Sequence, residues 1–128
     1  MPYDYVFDSY AWIEYFAGTS KGKTVNKYLS EGSVVTPSIV IAELSDKYHR
    51  EGWTAWPEDL LFITARTVVF DLGLKIASEA GRLKSEVRRK NSGFGLADAI
   101  VYQTAEVLGA KVVTGDKHFN GLKRAILI

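Results

Sequence analysis

Four acidic residues occupy positions where their carboxylates could act together: Asp8, Glu43, Asp98 and Asp116. Asp8 and Asp116 closely follow short apolar runs, whereas Glu43 and Asp98 lie inside apolar stretches. Carboxylates that converge in a place of low dielectric repel one another unless a cation lies between them. Because oxygen ligands favour hard divalent ions, the set predicts a bound Mg²⁺ or Mn²⁺. Such an ion activates water and neutralises developing charge in phosphoryl chemistry.

Some of these acids also have a simpler interpretation. Asp8 has the type and position of an N-cap for a helix beginning at Ser9. Asp98 has the type and position of an acidic residue in the first turn of a helix, which the helix dipole favours. Glu43 is harder to explain in this way, because its neighbours on a predicted helix are apolar. Asp71 follows another apolar run, and we interpret it as a cap for the next helix.

The composition excludes several other kinds of site. The chain has no cysteine and two histidines, which excludes disulfides, thiolate nucleophiles and cysteine-based zinc sites. It contains no glycine-rich phosphate-binding loop and no G-x-S-x-G motif. The first residues do not resemble a signal peptide, and no apolar run has the length of a membrane span. These features predict a cytoplasmic protein with no membrane association.

The elements that must position the acids alternate regularly along the chain. Apolar runs rich in β-forming residues predict strands at 3–7, 33–36, 68–70, 111–114 and 125–128. Helical spacing of apolar residues predicts helices at 9–17, 20–30, from Pro37 to near Gly52, 56–66, 74–90 and 96–108. Residues 115–122 are predicted to form a turn or short helix.

This alternation predicts an α/β fold in which helices cover both faces of a central parallel sheet. The length of 128 residues suits a single domain, which we place at 1–128. In an open parallel sheet, ligands bind beyond the carboxyl ends of the strands. Asp8 and Asp116 are therefore predicted to lie at that edge, together with the start of the helix that carries Asp98.

Four segments in this order resemble the PIN domain, and most of all the VapC-type ribonuclease toxins of prokaryotic toxin–antitoxin pairs. They are Phe7-Asp8-Ser9, Ile41-Ala42-Glu43-Leu44, Leu96-Ala97-Asp98-Ala99-Ile100 and Val113-Thr114-Gly115-Asp116-Lys117-His118-Phe119. The resemblance covers almost the whole chain. It implies a three-layer α/β/α fold and a Mg²⁺- or Mn²⁺-dependent endoribonuclease. It also implies a homodimer that a cognate antitoxin holds inactive, with the antitoxin's tail in a groove near the active site.

The resemblance also assigns roles to residues. The acidic quartet of the family falls on the four acids named above, as metal ligands and catalytic residues. Its small hydroxyl residue falls on Ser9, and the threonine of its T-x-D element falls on Thr114. One position departs from the family pattern, because many relatives carry a further acid where this chain has His118. We expect His118 either to weaken a second metal site, to contact RNA or to carry a proton, and a surface histidine in a loop is the alternative.

The near-neutral total charge of +1 conceals two basic segments. Residues 82–90 carry a net charge of +4 and residues 111–124 a net charge of +3. Both segments flank predicted site acids, and a nuclease needs cations there to hold the phosphate backbone. We predict that RNA contacts Arg88, Arg89, Lys90, Lys117 and His118. A solvated helix face is the alternative for the rest of 82–90.

Aromatic residues are concentrated in the first half of the chain, with twelve of sixteen in residues 1–62. Aromatic side chains are enriched at protein interfaces. We predict that several of them bind the antitoxin or a second copy of the chain: Trp12, Tyr15, Phe16, Tyr48, Trp53 and Trp56. Core packing and base stacking are the alternatives.

Two other functions fit parts of the sequence. A phospho-receiver domain has similar length and alternation, with Asp71 as its phosphoacceptor. A receiver domain requires two adjacent acids after the first strand, but in this chain Asp8 is followed by Ser9. A PIN-like module that binds RNA or protein without cleaving is the second alternative, and the complete quartet argues against it.

Overall fold

The computed structural model describes residues 3–128, which form a parallel sheet flanked by helices. The strands are β1 (Tyr5–Phe7), β2 (Val34–Pro37), β3 (Val68–Phe70), β4 (Lys111–Thr114) and β5 (Ala125–Leu127). The helices are α1 (Ser9–Ala17), α2 (Ser20–Glu31), α3 (Ser38–Glu51), α4 (Trp56–Arg66), α5 (Leu74–Val87) and α6 (Leu96–Leu108). A 3₁₀ turn (Lys117–Phe119) precedes β5. The predicted α/β fold with a central parallel sheet is confirmed.

The strand order is β3-β2-β1-β4-β5, and every neighbouring pair is parallel. From β1 the chain steps outward to β2 and β3, and then returns across the sheet to β4. Because parallel crossovers are right-handed, this reversal puts α1–α4 on one face and α5 and α6 on the other. The three-layer arrangement follows from that single reversal.

Several predicted boundaries differ from the structure, most of them by one residue. The first strand begins at Tyr5 rather than residue 3. Pro37 ends β2 and occupies the N-cap of α3 with ψ 144°, so the helix begins one residue later than predicted. Helix α5 ends at Val87 rather than residue 90, and in the turn that follows the backbone N–H groups of Lys90 and Asn91 both donate to the Val87 carbonyl. None of the helices among residues 3–128 has the length and apolar character needed to cross a membrane.

The core corrects one predicted interface residue. The side chain of Trp12 is 0 % exposed, and its indole N–H donates to Thr36 Oγ1 at 3.2 Å. Its ring packs against Phe7 and Phe16 at centroid distances of 5.2 and 5.6 Å. A buried indole normally requires such a hydrogen-bond partner, and here β2 supplies it. Trp12 therefore stabilises the fold and offers no surface to a partner, so that prediction was wrong.

Candidate active site

The strand order creates a crevice between β1 and β4. The connection that leaves β1 leads toward β2, whereas the connection that leaves β4 leads toward β5 on the opposite side. Such switch points are where open α/β sheets bind ligands. Asp8 directly follows β1, and Asp116 follows β4 by two residues. The topology therefore places both residues at the mouth of this crevice.

Asp8 combines helix capping with membership of the acidic cluster. Its Oδ1 accepts a hydrogen bond from the Ala11 backbone N–H at 2.9 Å, as an N-cap does. Its side chain is buried, and burial raises the pKa of Asp8 to about 7. Hydrogen bonding from Thr114 and Ala11 opposes this shift, whereas the charges of Asp116 and Glu43 add to it. Asp8 thus caps α1 and also belongs to the acidic cluster.

Glu43 reaches the cluster from α3. Burial raises the pKa of Glu43, and the charges of Asp98 and Asp116 raise it further. The Ser9 hydroxyl donates to Glu43 Oε1 at 3.4 Å, which partly offsets the shift. The helix is buried along one face, and the Glu43 side chain is only half-buried. The sequence had suggested a helix buried more completely.

Asp98 caps α6 and faces the other acids. Its Oδ2 accepts a hydrogen bond from the Gly95 backbone N–H at 2.8 Å, so the first-turn role is also present. Burial raises the pKa of Asp98, the Gly95 hydrogen bond lowers it, and the charge of Asp116 raises it again. The charge of His118 lowers it slightly. A carboxylate has two oxygens and about four lone-pair positions, which leaves capacity for a further ligand.

Asp116 is held by its own loop. Its backbone N–H donates to Thr114 Oγ1 at 2.9 Å, and its Oδ1 accepts from the His118 backbone N–H at 2.9 Å. The imidazole Nδ1 of His118 lies 3.2 Å from Asp116 Oδ1 and 4.0 Å from Asp98 Oδ2. One ligand atom from each of Asp98, Asp116 and His118 can be chosen so that all three lie within 4.8 Å of one another.

The structure thus brings together all four predicted acids, with Ser9 and Thr114 hydrogen-bonded beside them. Burial is the largest cause of the raised pKa values of Asp8, Glu43 and Asp98, and the charges of neighbouring carboxylates add to it. Carboxylates that are clustered in this way ionise unfavourably without a counterion. Because they are hard oxygen donors, they suit a divalent cation. Asp71 is exposed after the edge strand β3.

Two residues that support the site carried no sequence signal. The ring of Tyr10 packs directly on Gly115, where a Cβ would lie 2.1 Å from the ring. Asn91 donates from Nδ2 to the backbone carbonyls of His118 and Asn120 at 3.2 and 3.0 Å. These contacts link residues about 30 to 100 positions apart in sequence, so only the fold reveals them.

The Asn91 contacts also bring a predicted RNA-binding segment to the site. Arg88, Arg89 and Lys90 form the exposed turn between α5 and Asn91. Within residues 3–128, no salt bridge engages these three side chains or Lys117. Arg82, by contrast, pairs with Glu79 and Glu86 at 3.1 and 2.9 Å. The turn therefore presents unpaired positive charge directly before Asn91, which contacts the loop that carries His118.

The remaining predicted interface residues lie on the α1–α4 face. A shallow groove is lined by Ile13, Phe16, Ala17, Tyr48, Trp53, Ala55 and Asp59. Tyr48 is 3 % exposed and donates its hydroxyl proton to Asp59 Oδ2 at 2.6 Å, whereas Trp53 is 42 % exposed. The ring of Tyr15 stacks on Phe62, and the ring of Trp56 packs against Tyr48. The predicted interface residues Tyr15 and Trp56 are therefore partly covered.

Comparisons with known proteins identify the family. The PIN domain model matches residues 5–125. No curated protein matches the sequence. Among solved structures, the chain is similar to PAE2754 from Pyrobaculum aerophilum, with TM-score 0.74, 21% identity and coverage of 98% of this chain and 90% of that one.

Two other similar structures come from toxin–antitoxin systems. One is VapBC2 from Rickettsia felis bound to a promoter DNA fragment, with TM-score 0.70, 20% identity and coverage of 97% and 96%. The other is Mycobacterium tuberculosis VapC20, described as a sarcin-ricin loop cleaving toxin, with TM-score 0.72, 15% identity and coverage of 94% and 96%. At these identities the likeness concerns the fold, whereas the family model spans nearly the whole chain. The chain belongs to the PIN domain family.

Proposed function

We propose that this PIN domain is a Mg²⁺- or Mn²⁺-dependent endoribonuclease and the VapC-like toxin of a toxin–antitoxin pair. The observation that carries the proposal is the convergence of four carboxylates at the switch point of the sheet, with burial raising the pKa of three of them. PIN domains are generally nucleases that depend on divalent metal. Family membership removes the phospho-receiver alternative, whose predicted phosphoacceptor Asp71 also lies outside the cluster.

The metal would be held by Asp8, Glu43, Asp98 and Asp116. When bound, it supplies an activated water and stabilises negative charge on the phosphate. A carboxylate of the cluster would accept the proton of the attacking water. Thr114 holds the Asp116 backbone, and Ser9 orients Glu43.

The RNA backbone would lie along the basic turn at Arg88, Arg89 and Lys90 and would also contact the exposed Lys117. Phosphate contacts of this kind carry affinity rather than sequence preference, and salt weakens them. From the resemblance to VapC-type toxins we propose single-stranded or loop RNA as the substrate class, in keeping with the sarcin-ricin loop named for the M. tuberculosis toxin.

Reversing the charge of the basic turn tests this binding mode. The double variant R88E/R89E should weaken RNA binding about tenfold or more at 50–100 mM salt and should reduce the salt slope of log K by about two. Fluorescence anisotropy with a labelled RNA and catalytically inactive protein measures both quantities. R82E is the matched control, because Arg82 is already neutralised by two glutamates. Equal losses in the two variants would contradict the assignment.

The groove on the α1–α4 face would take the antitoxin. Its exposed Trp53 ring and partly covered Phe16 ring can receive apolar side chains of an amphipathic segment, and the Asp59 carboxylate can pair with a cation of that segment. Grooves lined by aromatic residues commonly bind helices in this way. The VapBC2 toxin–antitoxin structure from R. felis supports the choice of partner.

Truncating Trp53 tests the groove. We expect W53A to weaken the antitoxin complex by about 2 kcal/mol, because exposed tryptophans at interfaces are frequent hot spots. The unfolding midpoint of the free chain should change little. L74A is the control, since Leu74 is 86 % exposed outside the groove. If calorimetry gives W53A and L74A the same affinity as wild type, the antitoxin binds elsewhere.

We also propose that the chain acts in the cytoplasm and forms a homodimer. Exposed apolar side chains outside the groove are available for the contact between two copies of the chain: Leu61, Val68, Leu72, Leu96 and Leu127. Light scattering on the purified chain tests the oligomeric state. A monomer at micromolar concentration would contradict the dimer and would leave the nuclease proposal intact.

The nuclease proposal itself is tested by incubating the purified protein with end-labelled RNA and Mg²⁺ or Mn²⁺. Internal cleavage should appear, and the product of a neighbouring antitoxin gene should suppress it. RNA that remains uncut across diverse sequences and loops, although bound, would favour the non-cleaving PIN-like module.

A further inference from the structure

His118 is held in a prepared position beside two of the acids. Its Nδ1 faces Asp116 and Asp98 at the distances given above, while its backbone N–H donates to Asp116 Oδ1. Its carbonyl accepts from Asn91 Nδ2. Both backbone polar groups of His118 are therefore hydrogen-bonded, which fixes the position from which its side chain extends.

The opposite edge of the ring rests on Gly93. A Cβ at Gly93 would lie 2.2 Å from His118 Nε2, which is far inside van der Waals contact. The backbone of Gly93 has an ordinary φ, so this glycine is required for space and not for conformation. Because Nε2 is covered in this way, Nδ1 is the nitrogen that the loop presents to the carboxylates.

The donor atoms have the spacing of ligands to one ion. Ligands bound at about 2.1 Å and at right angles to each other lie about 3 Å apart. The observed separations of 3.2 and 4.0 Å from Nδ1 need only small adjustments to reach that value. Neutral imidazole also supplies the lone pair that a metal requires.

We propose that His118 Nδ1 is a ligand of the metal and that it shifts the preference of the site from Mg²⁺ toward first-row transition metals such as Mn²⁺ and Co²⁺. This inference rests on the metal site of the proposed function. Mg²⁺ strongly prefers oxygen ligands, whereas imidazole nitrogen binds transition metals well. The histidine that replaces a further acid would therefore change which ion is bound. His118 would coordinate the metal rather than contact an RNA phosphate.

The test measures metal binding without RNA. Calorimetric titration with Mg²⁺ and with Co²⁺ gives a ratio of dissociation constants for wild type, H118D, H118Q and G93A. We expect the ratio Kd(Mg²⁺)/Kd(Co²⁺) to fall about tenfold in both H118D and H118Q. In H118D a carboxylate oxygen replaces the imidazole nitrogen, and in H118Q no strong donor replaces it. G93A should lower it as well by displacing the ring. G81A is the matched control, since a Cβ there meets nothing within 4 Å.

Proton NMR of the Co²⁺ complex gives a second readout. A hyperfine-shifted imidazole N–H resonance should be present in wild type and absent in H118Q, and His49 provides the only other imidazole in the chain. An unchanged ratio in H118D and H118Q, with no such resonance in wild type, would overturn the inference. If D98N loses both metals in that case, the metal site and the proposed nuclease still stand. If wild type binds neither ion, the inference and the proposed metal site fail together.

Discussion

Replacing Asp98 with asparagine should reduce RNA cleavage by at least about a hundredfold, because loss of a direct ligand costs no less than loss of its supporting contacts. The fold should be retained. Asparagine Oδ1 can still accept the Gly95 N–H hydrogen bond that caps α6. Removing the charge also relieves repulsion from Asp116 and Glu43. Initial rates of cleavage at saturating Mn²⁺, with circular dichroism as the check on folding, measure the effect.

The control for this variant is D71N. Asp71 is exposed beyond the edge strand β3, so its charge should be irrelevant to cleavage. The assignment of Asp98 is wrong if D98N cleaves RNA as fast as D71N while both remain folded.

The second large effect concerns stability without metal. The pKa of Asp8 is raised by burial from 3.8 to about 7 in the folded chain. Between these pH values the folded chain retains a proton that the unfolded chain has lost. The free energy of unfolding should therefore fall as pH rises from about 4 to about 7, by up to about 1.4 kcal/mol per pH unit from this group. Glu43 and Asp98 shift in the same direction.

Chemical denaturation in EDTA at several pH values measures this slope, and D8N should flatten it. Asparagine caps helices as well as aspartate does, so the hydrogen bond from Ala11 can remain. D8N should consequently be more stable than wild type at pH 8 without metal, although it loses activity. Mn²⁺ should stabilise wild type more than D8N, because binding to the folded state alone raises its stability.

D46N is the control for the pH series. Asp46 is exposed and pairs with Arg50 on the surface of α3, so its loss should leave the slope unchanged. Wild type that becomes steadily more stable from pH 5 to pH 8 in EDTA would contradict the burial of an acidic cluster.

The sequence was most informative where local chemistry and topology agree. Asp8 has the residue type and position of an N-cap and Asp98 those of a first-turn acid, and the structure shows both roles. The alternation of strands and helices also predicted that the residues after β1 and β4 would lie at one edge of the sheet. The strand order could not be read in advance, because the reversal after β3 depends on which strands pair across the whole chain.

Contacts between distant segments explain what the sequence missed. Twelve aromatic residues in residues 1–62 suggest an interface, yet nothing in the pattern separates the buried Trp12, whose indole donates to Thr36, from the exposed Trp53. The packing of His118 on Gly93 and of Tyr10 on Gly115 depends on loops that meet only in the folded chain.

The central claim is that one carboxylate site both binds the metal and cleaves RNA. The most direct measurement follows Mn²⁺ binding and the single-turnover rate of RNA cleavage in the same titration of EDTA-treated protein. We predict that the two curves saturate at the same Mn²⁺ concentration and that D98N loses both. Cleavage by wild type that continues in EDTA, or that is insensitive to the occupancy of the site, would contradict the account.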